Sequence, residues 1–88
     1  MEIRQLKYFL SVVRLGGIGA AAEANYITQP AVSLQIQKLE DEVGERLFER
    51  RGRNLAPTEA GRVLAEHAEA VLRGLDNLDT AMAGLRGL

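Results

Sequence analysis

One face of residues 28–43 carries the kind of side chains that read the edges of base pairs in a duplex groove. The residues on this face are Pro30, Ser33, Leu34, Gln37 and Lys38. An ordinary solvated helix face would more often present Glu and Lys. A face of Pro, Ser and Gln suits close approach to bases in the major groove, where amides pair with base edges and an apolar surface meets a thymine methyl group. The alternative is a surface helix with an unremarkable polar side.

The same segment has the signals of a helix that positions this face. Thr28 is a good N-cap because its hydroxyl can accept a hydrogen bond from an amide of the first turn. Pro30 is tolerated in that turn, where its missing N–H leaves no gap in the ladder. Gly44 closes the helix. Apolar residues recur at steps of four, three and four and predict one packing stripe, formed by Val32, Ile36, Leu39 and Val43.

Two shorter helices are predicted before this segment. The first spans about 4–15 and ends at Gly16-Gly17, and the second spans 18–24. Residues 25–27 form a short turn into the third helix, and Tyr26 within that turn is expected either in the core or near a phosphate. Two helices joined by so short a turn match the helix-turn-helix layout.

Residues 46–57 predict a β-hairpin that would flank the third helix as a wing. The strands are predicted at 46–50 and 55–57 around a tip at 51–54, with Pro57 marking the end of the second strand.

The wing also carries the one focused basic patch of a chain whose formal net charge is −1 and whose pI is about 5.8. Arg50, Arg51 and Arg53 lie within four positions of each other, and the expected partner of such a patch is phosphate. We expect one of the three to pair with Glu49 or Glu45 instead of DNA, and for Arg50 the two roles are equally supported.

Residues 58–88 predict one long helix with Thr58 as its N-cap. An a/d seam with steps of 4, 3, 4, 3, 4 and 3 is formed by Leu64, Ala68, Val71, Leu75, Leu78, Met82 and Leu85. Such a helix would be about 45 Å long, which a domain this small cannot cover alone, so a second copy is expected to pack on the seam. The alternative is a bundle helix within one chain, and Gly74 and Gly84 weaken the helix.

The composition fits one small globular domain of 88 residues, 47% hydrophobic and 26% charged. The absence of cysteine excludes disulfides and thiolate metal sites, and we expect no metal and no cofactor. The single histidine, His67, is expected to be a partly exposed structural residue. No apolar run approaches the roughly 20 residues that span a bilayer, and the N-terminus lacks a signal-peptide pattern, so no membrane association and a cytoplasmic location are expected.

Several segments, in this order and spacing, carry a resemblance to a known family: Arg4-Gln5-Leu6-Lys7-Tyr8-Phe9, Gln29-Pro30-Ala31-Val32-Ser33, Lys38-Leu39-Glu40, Gly44, Arg46-Leu47-Phe48-Glu49-Arg50 and Leu55-Ala56-Pro57-Thr58-Glu59-Ala60-Gly61. Over all 88 residues the chain resembles the N-terminal DNA-binding domain of LysR-type transcriptional regulators.

The resemblance implies a mainly α fold, with a winged helix-turn-helix in residues 1–57 (a three-helix core plus a β-hairpin wing) and a linker helix in residues 58–88 that pairs antiparallel with its mate. It implies sequence-specific binding of double-stranded DNA at a promoter palindrome as a homodimer. The recognition helix 28–43 would enter the major groove and the wing 46–57 the minor groove. The expected location is the bacterial cytoplasm, with the nucleoid.

Members of this family normally continue into a C-terminal effector-binding domain, which these 88 residues do not contain. A small-molecule inducer is therefore expected only if such a domain exists outside this chain, and tetramers are expected in the full-length protein.

The family pattern also implies roles for individual residues. Three of them would meet base edges: Gln29, Pro30 and Ser33. Thr28 and Gln35 could reach phosphates. Arg53 stands at the wing-tip position that enters the minor groove, where narrow A·T tracts attract guanidinium groups.

The chain departs from the family at several positions. Leu34 stands where an arginine is common, and Asn25 where a core leucine is usual. Gly17, Gly19 and Ala20 replace residues, commonly Ser, Thr and Arg, that cap the second helix and hydrogen-bond the DNA backbone. These changes imply that affinity depends more heavily on the avidity of the dimer or tetramer.

Two other functions are weighed against DNA binding. A helical dimerisation or protein-interaction module without intrinsic DNA binding is favoured by the acidic pI and the missing phosphate anchors. An enzyme would need a catalytic constellation, which one histidine and no cysteine do not supply. For the fold, a different winged-helix family is the alternative, and the long last helix argues against it.

Overall fold

The computed structural model describes residues 1–87, which form four helices and one β-hairpin. In chain order the elements are α1 (Ile3–Leu15), α2 (Ile18–Ala24), α3 (Gln29–Val43), β1 (Phe48–Arg51), β2 (Asn54–Pro57) and α4 (Glu59–Gly87). This is the predicted order of three short helices, a hairpin and a long helix, and the mainly α fold is confirmed.

Local capping sets the bounds of α1 and α3. Thr28 Oγ1 accepts a hydrogen bond from Ala31 N at 3.2 Å, which confirms the predicted N-cap of α3. Gly16 and Gly44 end α1 and α3 with left-handed backbone, at φ 77° and 75°. Glycine adopts this conformation without the steric cost that a Cβ brings, so both helices end where the sequence predicts.

The core lies between α1, α2, α3 and the first half of α4. Phe9 and Val12 of α1 and Val32 and Leu39 of α3 are fully buried in it. Val43, the predicted fourth member of the α3 stripe, is 38% exposed. This part of the prediction is wrong, because Val43 lies in the last turn of α3, next to Gly44, beyond the part of the helix that packs on the core.

The hairpin packs on this core through its first residue. The Phe48 ring lies 5.3 Å from the Phe9 ring, centroid to centroid. Phe48 pairs with Pro57 and Arg51 with Asn54, so the turn consists of two residues. The first of these, Gly52, has φ 61°, which glycine adopts readily in a tight hairpin turn.

The predicted first strand began too early. Residues 46 and 47 lie outside β1, because their backbone carbonyls are used by the start of α4. Thr58 Oγ1 donates to Arg46 O at 2.6 Å, and Thr58 N donates to Leu47 O at 3.0 Å. The same Thr58 hydroxyl accepts from Gly61 N at 3.1 Å, which confirms Thr58 as the N-cap of the last helix.

The first half of α4 completes the core of its own chain. Ala65 and Ala68 are buried, and Leu64 and Leu72 pack against the core from its edge. Ala68, with 1% exposure, was predicted as a seam residue for a partner, and this is a correction. A heptad pattern gives the face of a helix but not its neighbour, and α4 packs on α1 of its own chain, with Ala68 in the shared core.

The second half of α4 leaves the core and runs without a break through both of its internal glycines. Its seam residues are Leu75, which is half-buried, and four exposed ones: Val71 at 44%, Leu78 at 54%, Met82 at 50% and Leu85 at 78%. The predicted end of this helix at residue 88 lies outside the described residues. No helix within residues 1–87 has the length and apolar character to cross a membrane.

Candidate nucleic-acid interface

The polar face of α3 is open to solvent along its whole length. The predicted contact residues that are exposed on α3 and its cap are Thr28, Gln29, Pro30, Ser33, Leu34, Gln37 and Lys38. The structure brings these seven together because spacings of three and four residues lie on one side of a helix. The opposite side is buried through Val32, Ile36 and Leu39, so the core fixes the direction in which the polar face points.

Gln35 is the predicted contact that the structure does not place with the others. Its side chain is half-buried beside α1, and its Oε1 accepts a hydrogen bond from Gln5 Nε2 at 3.0 Å. The Oε1 atom is thus engaged within the protein, which indicates a packing role, while the phosphate contact of Gln35 stays a prediction. The position next to Ile36 in the apolar stripe is the sequence signal that favours this role.

Side chains alternate between the two sides of β1, so neighbouring arginines of the hairpin project to opposite sides. Phe48 and Arg50 project to one side of β1, and Glu49 and Arg51 to the other. Arg51 Nη2 lies 3.4 Å from Glu49 Oε1, so the arginine that pairs with an acid is Arg51 rather than Arg50. Among residues 1–87, neither Arg50 nor Arg53 has a carboxylate within ion-pair distance. Both guanidinium groups are therefore available to a phosphate.

α3 and the hairpin enclose a concave surface between them. The cavity has a volume of about 360 Å³, and its polar lining consists of Ser33, Gln37, Glu40, Arg46, Glu49 and Arg50. The two arginines and the two glutamates balance in formal charge. Hydrogen-bonding groups of the helix and a cation of the hairpin thus face one space, with no excess of positive charge in it.

Two hydrogen bonds hold the hairpin in place beside α3. Glu40 Oε2, on α3, accepts from Leu47 N at 2.8 Å. On β2, Leu55 N donates to Gly16 O at 2.9 Å, at the corner between α1 and α2. The residue before β1 is therefore fastened to α3, and β2 is fastened to the corner of α1 and α2 one pair from the tip of the hairpin.

The turn between α2 and α3 has an unusual backbone. Tyr26 has φ 58°, a left-handed conformation that bulky residues rarely adopt, and its side chain is 95% exposed. The expectation that Tyr26 packs in the core is wrong.

Asn25, which stands at the family's leucine position, is satisfied by hydrogen bonds, since its Nδ2 donates to Ser11 Oγ at 2.9 Å and to Ala21 O at 2.7 Å. Sequence reasoning did not find Ser11 as a partner.

The comparison with known families gives one match. The profile described as "Bacterial regulatory helix-turn-helix protein, lysR family" matches residues 3–62. This range covers α1, α2, α3, the hairpin and the first residues of α4.

Related proteins have names of the same kind. The chain is 49% identical over 72 residues to "HTH-type transcriptional regulator TfdT" of Cupriavidus pinatubonensis (strain JMP 134 / LMG 1197). These 72 residues are 82% of this chain and 32% of that protein. It is 42% identical over 82 residues to "Nitrogen assimilation regulatory protein nac" of Escherichia coli (strain K12), covering 93% of this chain and 27% of that protein. The chain thus spans about a third or less of these relatives' length.

Solved structures share the fold of this chain over nearly its whole length. A "BenM_DBD/benA site 1 DNA Complex" superposes with a TM-score of 0.92 at 35% identity, over 98% of this chain and 97% of that one. A "CbnR_DBD-DNA complex" superposes with a TM-score of 0.86 at 37% identity, over 97% of this chain and 99% of that one. Both are complexes with DNA.

Proposed function

This chain belongs to the LysR family of bacterial regulatory helix-turn-helix proteins, and we propose that it binds double-stranded promoter DNA sequence-specifically as one half of a homodimer. The observation that carries the proposal is the exposed, nearly uncharged face of α3 beside a hairpin whose Arg50 and Arg53 have no carboxylate partner among residues 1–87. DNA complexes of BenM and CbnR domains, which share this fold, support the same role.

The recognition helix is proposed to enter the major groove. The residues proposed to meet base edges are Gln29, Pro30 and Ser33. Lys38 and Thr28 are proposed to contact phosphates, and Leu34, which is 49% exposed, to touch an apolar base group.

Gln37 and Arg50 both line the space between α3 and the hairpin, which supports a role for both near the DNA backbone that separates the two grooves.

The hairpin is proposed to reach the minor groove through Arg53. This residue lies in the two-residue turn at the tip of the hairpin, beyond the last pair of the ladder, Arg51 and Asn54. A guanidinium group there can enter a narrow minor groove, whose negative potential is enhanced in A·T tracts. Arg51 is expected to contribute less because Glu49 already neutralises it.

The outer part of α4 is proposed to pair with a second copy of the chain. Its seam is exposed at Val71, Leu78, Met82 and Leu85 and half-buried at Leu75, and pairing would remove this apolar surface from water. Residues 1–57 would then read DNA while residues 58–88 join the two copies, so that each copy reads one half of a palindrome.

The longer relatives lead to further proposals for a longer protein. Tetramer formation and the response to a small-molecule inducer would belong to sequence outside these 88 residues. The proposed role is regulatory rather than catalytic, and it places the protein in the bacterial cytoplasm with the nucleoid.

The competing function is a dimerisation module without DNA affinity. The deciding experiment selects duplexes from a randomised DNA pool with the 88-residue chain, and then titrates the enriched duplex at two salt concentrations by fluorescence anisotropy. We expect an enriched sequence with two-fold symmetry and an affinity that falls as salt rises. Gln29→Ala or Ser33→Ala should cost about 1–3 kcal/mol and relax the preference. A stable dimer without DNA affinity at low salt would refute the proposal and support the competing function.

A further inference from the structure

Gly19 of α2 lies beside the side chain of Gln29, the first residue of α3. An added Cβ at Gly19 would lie 3.3 Å from Gln29 Nε2, 3.6 Å from Cδ and 3.9 Å from Oε1. Any side chain at position 19 would therefore touch the Gln29 carboxamide. No side chain at position 19 separates the two helices at this point.

A side chain at position 19 would restrict the amide without involving the core. Gln29 is exposed, and its carboxamide is the far end of a flexible side chain, so a methyl group at position 19 would displace the amide rather than the helices. A shift of a few tenths of an ångström suffices to relieve the contact. The fold would stay the same while the donor and the acceptor of the amide moved.

The position of an amide matters because glutamine reads bases with both of its polar atoms. It can pair in a bidentate manner with the N6 and N7 groups of adenine in the major groove, which requires the donor and acceptor to be aligned together.

We propose that Gly19 is a positioning residue that sets the DNA base preference of this protein through Gln29. The inference rests on the proposed function of α3 and adds to it the reason for one part of its specificity. The lack of a side chain at Gly19 leaves the Gln29 amide room for the orientation in which it reads an adenine. A larger residue at position 19 reorients the amide and weakens that preference while the domain stays folded.

The test compares Gly19→Ala with Gly17→Ala, a substitution in the same corner at a position where an added Cβ has no neighbour within 4 Å. Affinity is measured for the selected duplex and for duplexes changed at each base pair in turn. We expect Gln29→Ala to lower the preference at one base pair by about fivefold or more. Gly19→Ala should lower it at the same base pair by about threefold to tenfold, while Gly17→Ala retains the parent preference.

A double substitution and a spectroscopic readout separate this inference from the proposed function. Gly19→Ala combined with Gln29→Ala should show the same base preference as Gln29→Ala alone, because Gly19 acts through that side chain. In the free protein, the side-chain NH₂ signals of Gln29 in NMR spectra should shift in Gly19→Ala and stay in place in Gly17→Ala. Thermal unfolding of Gly19→Ala should occur at or above the parent temperature, since alanine favours the helix.

Each result tests either the proposed DNA binding or the role of Gly19. If the parent chain binds no DNA, the proposed function fails, and the NMR comparison alone still tests the contact. If the parent and Gln29→Ala differ in base preference while Gly19→Ala matches the parent, the role of Gly19 is overturned. Unchanged Gln29 amide signals in Gly19→Ala would overturn it as well.

Discussion

Gln5 and Gln35 are hydrogen-bonded to each other at 3.0 Å across the interface between α1 and α3. The same Gln5 side chain accepts a hydrogen bond from Glu2 N at 2.9 Å through its Oε1. One buried carboxamide therefore joins the start of the first helix to the middle of the recognition helix. Since both of its polar atoms are satisfied, it fixes how α3 is rotated relative to α1.

This link separates the roles of two glutamines on α3. Gln35→Ala leaves the Gln5 amide without its partner, so the free energy of unfolding should fall by about 1 kcal/mol while DNA affinity per folded molecule changes little. Gln37→Ala, at an exposed position, should lower DNA affinity instead. Its free energy of unfolding should stay within about 0.5 kcal/mol of the parent value. Denaturant unfolding and DNA titration of both variants check this, and equal effects on affinity would support Gln35 as a DNA contact.

Gly61 should tolerate no side chain. It is buried at the start of α4, where an added Cβ would overlap the carbonyl oxygen of Leu47, a backbone atom that cannot move aside easily. Gly61→Ala should therefore destabilise the domain by about 1–3 kcal/mol or more. The matched control is Gly74→Ala in the same helix, where nothing lies within 4 Å and alanine should stabilise by up to about 1 kcal/mol. A Gly61→Ala variant as stable as the parent in urea would refute this account of the close approach.

The left-handed backbone at Tyr26 predicts a stabilising substitution. This conformation costs an ordinary residue about 1–2 kcal/mol, and asparagine adopts it more readily than tyrosine. Because the Tyr26 side chain is almost entirely exposed, its removal loses little packing. Tyr26→Asn should raise the free energy of unfolding by about 0.5–1 kcal/mol, whereas the β-branched Tyr26→Val should lower it. The prediction fails if thermal unfolding ranks the two variants the other way.

Arg51 and Arg53 of the wing should contribute differently to the salt dependence of DNA binding. Arg53→Ala should weaken DNA binding and flatten the slope of log affinity against log salt by about one unit per subunit. Arg51→Ala should have a smaller effect on the slope, since its guanidinium group lies beside the Glu49 carboxylate. Titrations of both variants over a series of salt concentrations measure the slopes. Identical slopes for the two would show that the ion pair opens on DNA.

The outer seam of α4 should hold the dimer together. Leu78→Glu places a charge on the seam, where pairing would bury it without a partner, and should raise the dissociation constant of the dimer at least about 100-fold. Thr80→Glu, on the other side of the same helix, should leave the dimer intact. Sedimentation velocity measures the assembly state, and helical circular dichroism should be retained in both variants. A dimeric Leu78→Glu protein would place the interface elsewhere.

Features that depend on neighbouring residues in the chain could be predicted from the sequence. The caps at Thr28 and Thr58 and the glycines at 16 and 44 act within one turn, so they define helix bounds without knowledge of the fold. The spacing of polar residues on α3 likewise defined the candidate face, because helical periodicity alone brings them together.

Features that depend on which elements pack together could not be predicted. The heptad pattern includes Ala68, but only the packing of α4 on α1 shows that its own chain covers it. Gln35 is one residue from the apolar stripe, and its role is decided by Gln5, 30 positions away. The proximity of Gly19 to Gln29 depends on the angle between α2 and α3, which no local pattern determines.

The two hydrogen bonds that join the hairpin to the helices, from Leu47 N to Glu40 and from Leu55 N to Gly16, have a consequence for the DNA that this protein would select. Because they limit how far the hairpin can move relative to the helices, the opening between α3 and the hairpin is expected to stay nearly constant. A duplex whose groove widths already match that opening binds with little bending energy, whereas a mismatched duplex must deform first. Base pairs that touch no side chain would then still influence the choice of operator.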